Sequence, residues 1–334
     1  MKEVAMPVAL LCLLVGLWGC FAWAQQTPLP QGPAEKEEEI PPIRVLVEEA
    51  TVPFIVADSK NRFITDLNKE DFQVFEEKRP QEILSFSRET DVPLRIGLLI
   101  DTSNSIRDRF VFEQEAAADF LRALLRPGRD KAFLASFDTM AELVQDFTDD
   151  LDKLFESIQT LRPGGGTALY DAIYYGARDR LLEEAPPTSD FRRTMVVLSD
   201  GEDNQSRFSR LQALEMAQRA EITIYTISTN IRGLRMPGDK VLQEFAEETG
   251  GRYFQPFRWE DLNTAFQEID AELRSQYSIS YRPTTPRDGR YHKIEIVPRT
   301  KGLRVRARRG YYATQPPGKV PSENAIQGSP PTTP

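Results

Sequence analysis

Asp101, Ser103 and Ser105 occupy alternate positions at the end of an apolar run, in "IGLLIDTSNSIRDRF". Spacing of two in a tight strand-to-helix loop turns alternate side chains toward one point. Two further segments carry comparable oxygens. Thr167 closes "RPGGGT", and Asp200 follows an apolar strand in "MVVLSDGEDN". Two carboxylates and three hydroxyls form an all-oxygen set suited to a hard divalent cation, Mg2+ or Mn2+. Because the hydroxyls are neutral, such an ion keeps most of its positive charge and accepts an anionic oxygen from outside. Other metal chemistry has few residues to use. His292 is the only histidine, and both cysteines, Cys12 and Cys20, fall near the N-terminus. Taken alone, Asp101 and Ser105 read better as caps of the following helix. Thr167 and Asp200, at corresponding places on other elements, are what favour the metal.

Those places follow from the alternation of elements between residues 93 and 275. "LRIGLLI", "KAFLASF", "RTMVVLS" and "ITIYTIS" are strands, with "AELVQDF" and "RYFQ" shorter ones. Helical patterns fall at 106–125, 150–160, 168–183, 239–249 and 259–275, with another through "SRLQALEMAQRA". Strands alternating with helices imply an α/β fold, a doubly wound, mostly parallel sheet covered on both faces. In such sheets ligands bind beyond the carboxyl ends of the strands, where the strand order reverses. The three glycines before Thr167 allow that loop's backbone to pass close to the site and to move.

The flanks read differently. Residues 43–90 and 276–312 are β in pattern, with "VPFIVAD" and "DFQVFEEKRPQEILSF" before the α/β unit. "YSISYRP", "YHKIEIVP" and "LRVRARRGYY" follow it, and Asp288-Gly289 signals a hairpin between the first two. Neither flank makes a sheet core alone, so the expectation is one small β-sandwich-like domain with the α/β domain inserted between its halves. Arg304, Arg306 and Arg308 alternate with Leu303, Val305 and Ala307, which reads as a solvated strand face. At the N-terminus, Lys2, an apolar stretch and Ala22-Trp23-Ala24 read as a signal peptide over residues 1–24. Cleavage there would remove both cysteines and leave no membrane span. Residues 25–42 form a Pro-rich, charged linker, and 313–334 read as a disordered tail.

"DTSNS", the Thr of "GGGTALYDA" and "SDG" together resemble the metal-ion-dependent adhesion site (MIDAS) of von Willebrand factor A-like (VWA) domains. The likeness spans residues 93–275 and fills all five ligand positions, Asp101, Ser103, Ser105, Thr167 and Asp200. "LNKEDFQVFEEKRPQEILSF" and "RARRGYYA" are similar to the flanks of exported VWA-related proteins of acidobacteria. The resemblance implies a binding module. Asp108 matches an acid that some integrin domains use for a second cation, although Arg109 beside it favours a solvated helix acid. Asp138, Asp171 and Asp203 lie near the same rim, as outer partners of the ion or as caps and surface acids.

Several function classes drop out. A net charge of -9 argues against nucleic acid as a partner. A phosphohydrolase of the haloacid-dehalogenase type needs a second acid two residues after Asp101, where Ser103 stands. No G-x-G-x-x-G follows the first central strand, which removes the dinucleotide reading. What remains is a non-enzymatic, cation-dependent adhesion or interaction module, exported to the periplasm, cell envelope or medium. Its protein partner presents an Asp or Glu to the metal. The alternatives are an envelope scaffold or assembly factor whose metal is purely structural and, less favoured for want of that second acid, a Mg2+-dependent phosphohydrolase.

Overall fold

The computed structural model describes residues 49–89, 91–104, 110–185, 191–230, 234–258, 261–285 and 288–313. The expected leader and linker lie outside these, as does the expected tail beyond Ala313. Four strands open the described chain: β1 (Ala50–Ala57), β2 (Phe72–Glu76), β3 (Arg79–Gln81) and β4 (Ile83–Arg88). The α/β unit runs β5 (Leu94–Asp101), α1 (Phe110–Leu124), β6 (Lys131–Phe137), β7 (Ala141–Thr148), α2 (Leu151–Thr160) and α3 (Leu169–Tyr175). From α3 a π-helical stretch (Gly176–Leu181) leads into the single turn α4 (Leu182–Glu184). Then come β8 (Arg192–Ser199), α5 (Arg210–Arg219), β9 (Thr223–Ser228), α6 (Pro237–Thr249), β10 (Tyr253–Phe254) and α7 (Asp261–Leu273). The last strands are β11 (Tyr277–Tyr281), β12 (Tyr291–Pro298), β13 (Arg304–Ala307) and β14 (Gly310–Tyr312).

The central sheet has the order β10-β9-β8-β5-β6-β7, and only the edge strand β7 is antiparallel. Every residue of β5 and β8 is buried. Such strands need layers on both faces. Leu94, Ile96, Leu98 and Ile100 of β5 face one core with Phe120 of α1, Ile158 of α2 and Ile269 of α7. Leu99 faces the other, with Ile173 of α3, Ala217 of α5 and Phe245 of α6. Helix ends are set by local chemistry. Asp150 caps α2 by accepting from the Asp152 and Lys153 N–H groups, while Ser209 and Gln212 form a capping box on α5.

The terminal strands make two antiparallel sheets, β13-β1-β11-β4 and β14-β12-β2-β3. Both contribute to one core containing Val52, Phe54, Phe72, Val74, Tyr277, Ile279 and Ile296. Phe54 stacks on Tyr277 at 5.5 Å and meets Phe72 edge-on at 5.0 Å. Strands from before and after the α/β unit are therefore interleaved: β1 pairs with β11 and β13, and β2 with β12.

Three expectations for the C-terminal strands need correction. Asp288-Gly289 does form a turn, with Gly289 at φ 74°. Yet it does not join a hairpin, because β11 and β12 belong to different sheets. "LRVRARRGYY" is two strands rather than one, since the chain crosses from the β1 sheet to the β12 sheet at Arg308-Arg309. Its arginines are not all a solvated face either: Arg304 is exposed, but Arg306 and Arg308 are not. Arg306 pairs with Glu272 of α7, a fully buried acid that also receives Arg252 at 3.1 Å. Arg308 is buried and reaches Glu221 at 2.9 Å, and Arg309 reaches Glu248 at 2.6 Å. The crossover is fixed by ion pairs to the α/β unit, a tertiary cause with no local signature.

Candidate metal centre

In the sheet order, the chain leaves β5 toward β6 on one side and later returns through β8 on the other. The order thus reverses between β5 and β8, and both strands deliver an aspartate there. Asp101 is the last residue of β5 and fully buried; Asp200 follows β8 and is half-buried. Asp101 Oδ1 accepts from the Ser103 N–H at 2.8 Å, and Oδ2 accepts from the Ser199 hydroxyl at 2.7 Å. The Ser103 hydroxyl also bonds this carboxylate. Burial, opposed by the serine hydrogen bonds and reinforced by the charge of Asp200, pushes the Asp101 carboxyl up to about 6. All of these donors are neutral.

Three loops meet at this point and are bonded to one another. The Gly164 N–H donates to Thr102 O at 2.7 Å, and the Asn104 side chain donates to Gly165 O at 3.1 Å. On the other side, the Thr167 N–H donates to Asn204 Oδ1 at 3.0 Å, while Thr167 O accepts from the Asn204 N–H at 2.9 Å. Thr167 is buried between the loops that follow Asp101 and Asp200. Gly165 shows why glycine precedes it. Its φ is 68°, and a Cβ would sit 2.5 Å from the Thr139 hydroxyl. Close approach of the loop, expected from the three glycines, is what the packing contains.

The second loop is fixed in a similar way. The Ser199 hydroxyl accepts from the Gly201 N–H at 3.0 Å, and Asp200 Oδ1 accepts from the Glu202 N–H at 3.1 Å. Gly201 has φ 80°, and a Cβ there would lie 2.2 Å from Gly238 O at the start of α6. The backbone beside Asp200 thus rests directly on a helix end.

Of the expected ligands, Asp101, Ser103, Thr167 and Asp200 come together on these loops. Ser105 lies outside the described residues, and so does Asp108. Asp203 and Asp171 join loops. Asp203 Oδ2 accepts from the Tyr170 N–H at 3.0 Å and the Ser206 hydroxyl at 2.6 Å. Asp171 Oδ1 accepts from the Arg207 and Phe208 N–H groups at 2.9 and 3.0 Å. Asp138 Oδ1 lies 3.4 Å from the Met140 N–H that donates to it. Two participants escaped the sequence reading, Ser199 and Asn204. Ser199 is the hydroxyl that ends the apolar "MVVLS", which was the available signal.

The residues present fit a hard cation. Among the described residues, Asp101 is a buried carboxylate whose charge is offset only by neutral donors and aggravated by a second carboxylate. Among the described residues no three His, Cys, Asp or Glu side chains gather in metal-binding geometry. The set here is instead two carboxylates with hydroxyls.

The family model described as von Willebrand factor type A domain matches residues 96–269, and the chain belongs to that family. Among solved structures, a von Willebrand factor type A protein from Catenulispora acidiphila is 12% identical, with a TM-score of 0.48. That match covers 78% of this chain and 73% of the other. An aerotolerance-related membrane protein from Bacteroides fragilis is 20% identical, with a TM-score of 0.44, covering 54% of this chain and 98% of that one. Proximal thread matrix protein 1 from the mussel byssus, with a zinc-occupied MIDAS motif, is 14% identical with a TM-score of 0.48. It is covered over 50% of its length by 60% of this chain. No curated protein matches the chain at a significant level.

Proposed function

We propose that this protein is a non-enzymatic, cation-dependent interaction module that captures an acidic residue of a protein partner at a MIDAS-type site. Asp101, Ser103, Ser105, Thr167 and Asp200 would hold the ion, Mg2+ or Mn2+. The observation that carries the reading is the buried Asp101 carboxylate at the switch point, hydrogen-bonded among the described residues by neutral groups alone and facing the charge of Asp200. When bound, the ion supplies an electrophilic position for an anionic oxygen from outside. The chain's own residues do the rest. Ser199 and Ser103 orient the Asp101 carboxylate, and Asn204 clamps the Thr167 backbone from the Asp200 side.

Membership of the VWA family supports an interaction role. The apolar N-terminal stretch and Ala22-Trp23-Ala24 support export by a cleaved leader, placing the module in the periplasm, envelope or medium. Among the described residues no helix is long and apolar enough to cross a membrane.

The test has two stages. Mg2+ or Mn2+ is expected to raise the melting temperature saturably, because binding to the native state stabilises it by mass action. Asp101→Ala and Asp200→Ala should each remove that response while retaining cooperative unfolding. A partner captured from an envelope extract should then be released by chelation and fail to bind either variant. A full cation response in both variants would refute the metal site. Undiminished partner binding after chelation would refute the capture mechanism and leave the metal a structural role.

A further inference from the structure

At the opposite pole of the central sheet, the first residues of β8 and β9 meet the terminal sheets around a cavity of about 360 Å3. Arg192, Arg193 and Arg308 line it, with Glu89 and Glu221 as the acids among its walls. Their pairing is incomplete. Arg192 donates to Glu89 Oε2 at 2.8 Å and to Leu273 O at 2.9 Å. Arg193 donates to Ala185 O at 2.8 Å and to Glu221 Oε2 at 3.2 Å. Arg308 reaches Glu221 Oε1 at 2.9 Å and Thr51 O at 2.9 Å. One glutamate thus serves two guanidinium groups, and the wall carries an excess positive charge.

Among the described residues the Nε–H groups of Arg193 and Arg308 find no hydrogen-bond partner, although the two residues are only 6% and 8% exposed. A buried donor left unpaired is destabilising, and a buried charged donor more so. Burial pushes the Arg193 guanidinium below its usual range, with Glu221 opposing and Arg308 adding to the fall. The wall is short of anion.

We propose that this cavity binds a small molecule bearing an oxyanion, a carboxylate or a phosphate, held by Arg193 and Arg308. The guanidinium fork matches either group in plane and presents several donors at once. At ~30 Å3 per water, the space would hold about twelve waters, more than a bare phosphate requires. It therefore suits a short organic anion, whose body lies against Pro53 and Ile222 while hydroxyls such as Ser278 meet its polar atoms. Arg193 belongs to the α/β unit and Arg308 to the terminal sheets, so the ligand would bridge both. This site is independent of the metal centre.

The full protein serves for the test, with inorganic phosphate and succinate as probes and NaCl at matched ionic strength as control. Thermal unfolding should show a saturable rise of roughly 3–6 °C with at least one probe at concentrations far above its Kd. Calorimetric titration should return a single site. Arg308→Lys keeps the charge beside Glu221 but loses Nε and the planar fork, and should weaken binding at least tenfold. Thr51→Trp, at an exposed position on the rim, should block the cavity with every arginine in place. If Arg308→Lys does not fold, Thr51→Trp decides alone. A response equal to that of NaCl, or one that survives Thr51→Trp, overturns the proposal. Phosphate binding without succinate binding, or the reverse, supports it and identifies the group recognised.

Discussion

Asp101 and Asp130 are two fully buried aspartates at opposite ends of β5, Asp101 as its last residue and Asp130, just before β6, against its first, and they are treated differently. Asp130 accepts from the Leu94 N–H at 2.9 Å at the start of β5, and from the Arg126 N–H and guanidinium at 3.1 Å each. Arg274 adds a contact at 3.3 Å. Burial pushes the Asp130 carboxyl up, but Arg126 and the backbone donors outweigh it, and the net displacement is below the usual carboxylate range. Among the described residues Asp101 has no such cation as a partner, and it is displaced upward. The contrast shows what a structural buried aspartate looks like in this protein, and Asp101 is not built that way. A depressed folded pKa gives stability that is complete above the unfolded value and lost as pH falls through the folded one. Asp130→Asn should therefore destabilise the protein at pH 7 by about 2 kcal/mol, at the low end for a broken buried pair because Arg126 is partly solvated. The deficit should shrink below about pH 4, the ordinary Asp range, as the wild-type carboxylate is protonated. Urea midpoints of both proteins at pH 7 and pH 3 check this. An equal gap at both would mean that the charge of Asp130 does not matter.

Elements position the site through their ends, and the tightest end is the turn after β8. Gly201 lies in the left-handed region at φ 80°, with Gly238 O where its Cβ would be. Gly128 and Gly302 share that conformation, at φ 77° and 85°, but have nothing within 4 Å. Alanine at either of these should cost about 1–2 kcal/mol from backbone conformation alone. Gly201→Ala must also force the turn off α6, and should cost about 3 kcal/mol or more. Denaturant unfolding of the three variants separates backbone strain from overlap, and equal losses would show that the contact yields easily. The same elements show what sequence can reveal. The doubly covered β5 and β8 were legible because an unbroken apolar run has few other uses. Asp101, Ser103, Thr167 and Asp200 could be singled out as candidates because each stands at or just beyond the end of such a run or of a glycine loop, while Ser105 lies outside the described residues. Ser199 was hidden because a hydroxyl at a strand's end looks like part of the strand, and its role appears only once β5 lies beside it. The break at Arg308-Arg309 was hidden because the alternation of Leu303, Val305 and Ala307 continues to the break, and the cause lies in Glu221 and Glu248. Asp288-Gly289 gave a correct turn but the wrong pairing, since a turn signal does not specify which strands will be neighbours.

On the scale of the whole molecule, the described chain enters and leaves through the same pair of sheets, so the strands before β5 depend on strands that are synthesised after the α/β unit. Among the described residues β1 has β11 and β13 as its only neighbours in the sheet, β4 has only β11, and β2 keeps only β3 without β12. The shared core would lose Tyr277, Ile279, Tyr281, Ile294 and Ile296, including the ring stacked on Phe54. Two strands paired alone with one exposed apolar face are marginal at best in water. The two cores of the α/β unit contain no residue beyond Leu273 and would stay whole. Loss of Arg306 and Arg308 would leave Glu272 with Arg252 and Glu221 with Arg193, so neither acid is stranded. Removal of residues 276–312 should therefore separate the two parts. Limited proteolysis of the shortened chain is expected to cut within residues 49–90 and to leave a resistant fragment spanning about 93–275, which still responds to Mg2+ in thermal unfolding. The intact chain under the same protease should keep residues 49–90 protected. Protection of those strands in the shortened chain would mean that the N-terminal part holds together without its partners. Loss of the resistant fragment would mean that the α/β unit needs the terminal sheets to fold, and the ion pairs of Arg306 and Arg308 would then be the first contacts to examine.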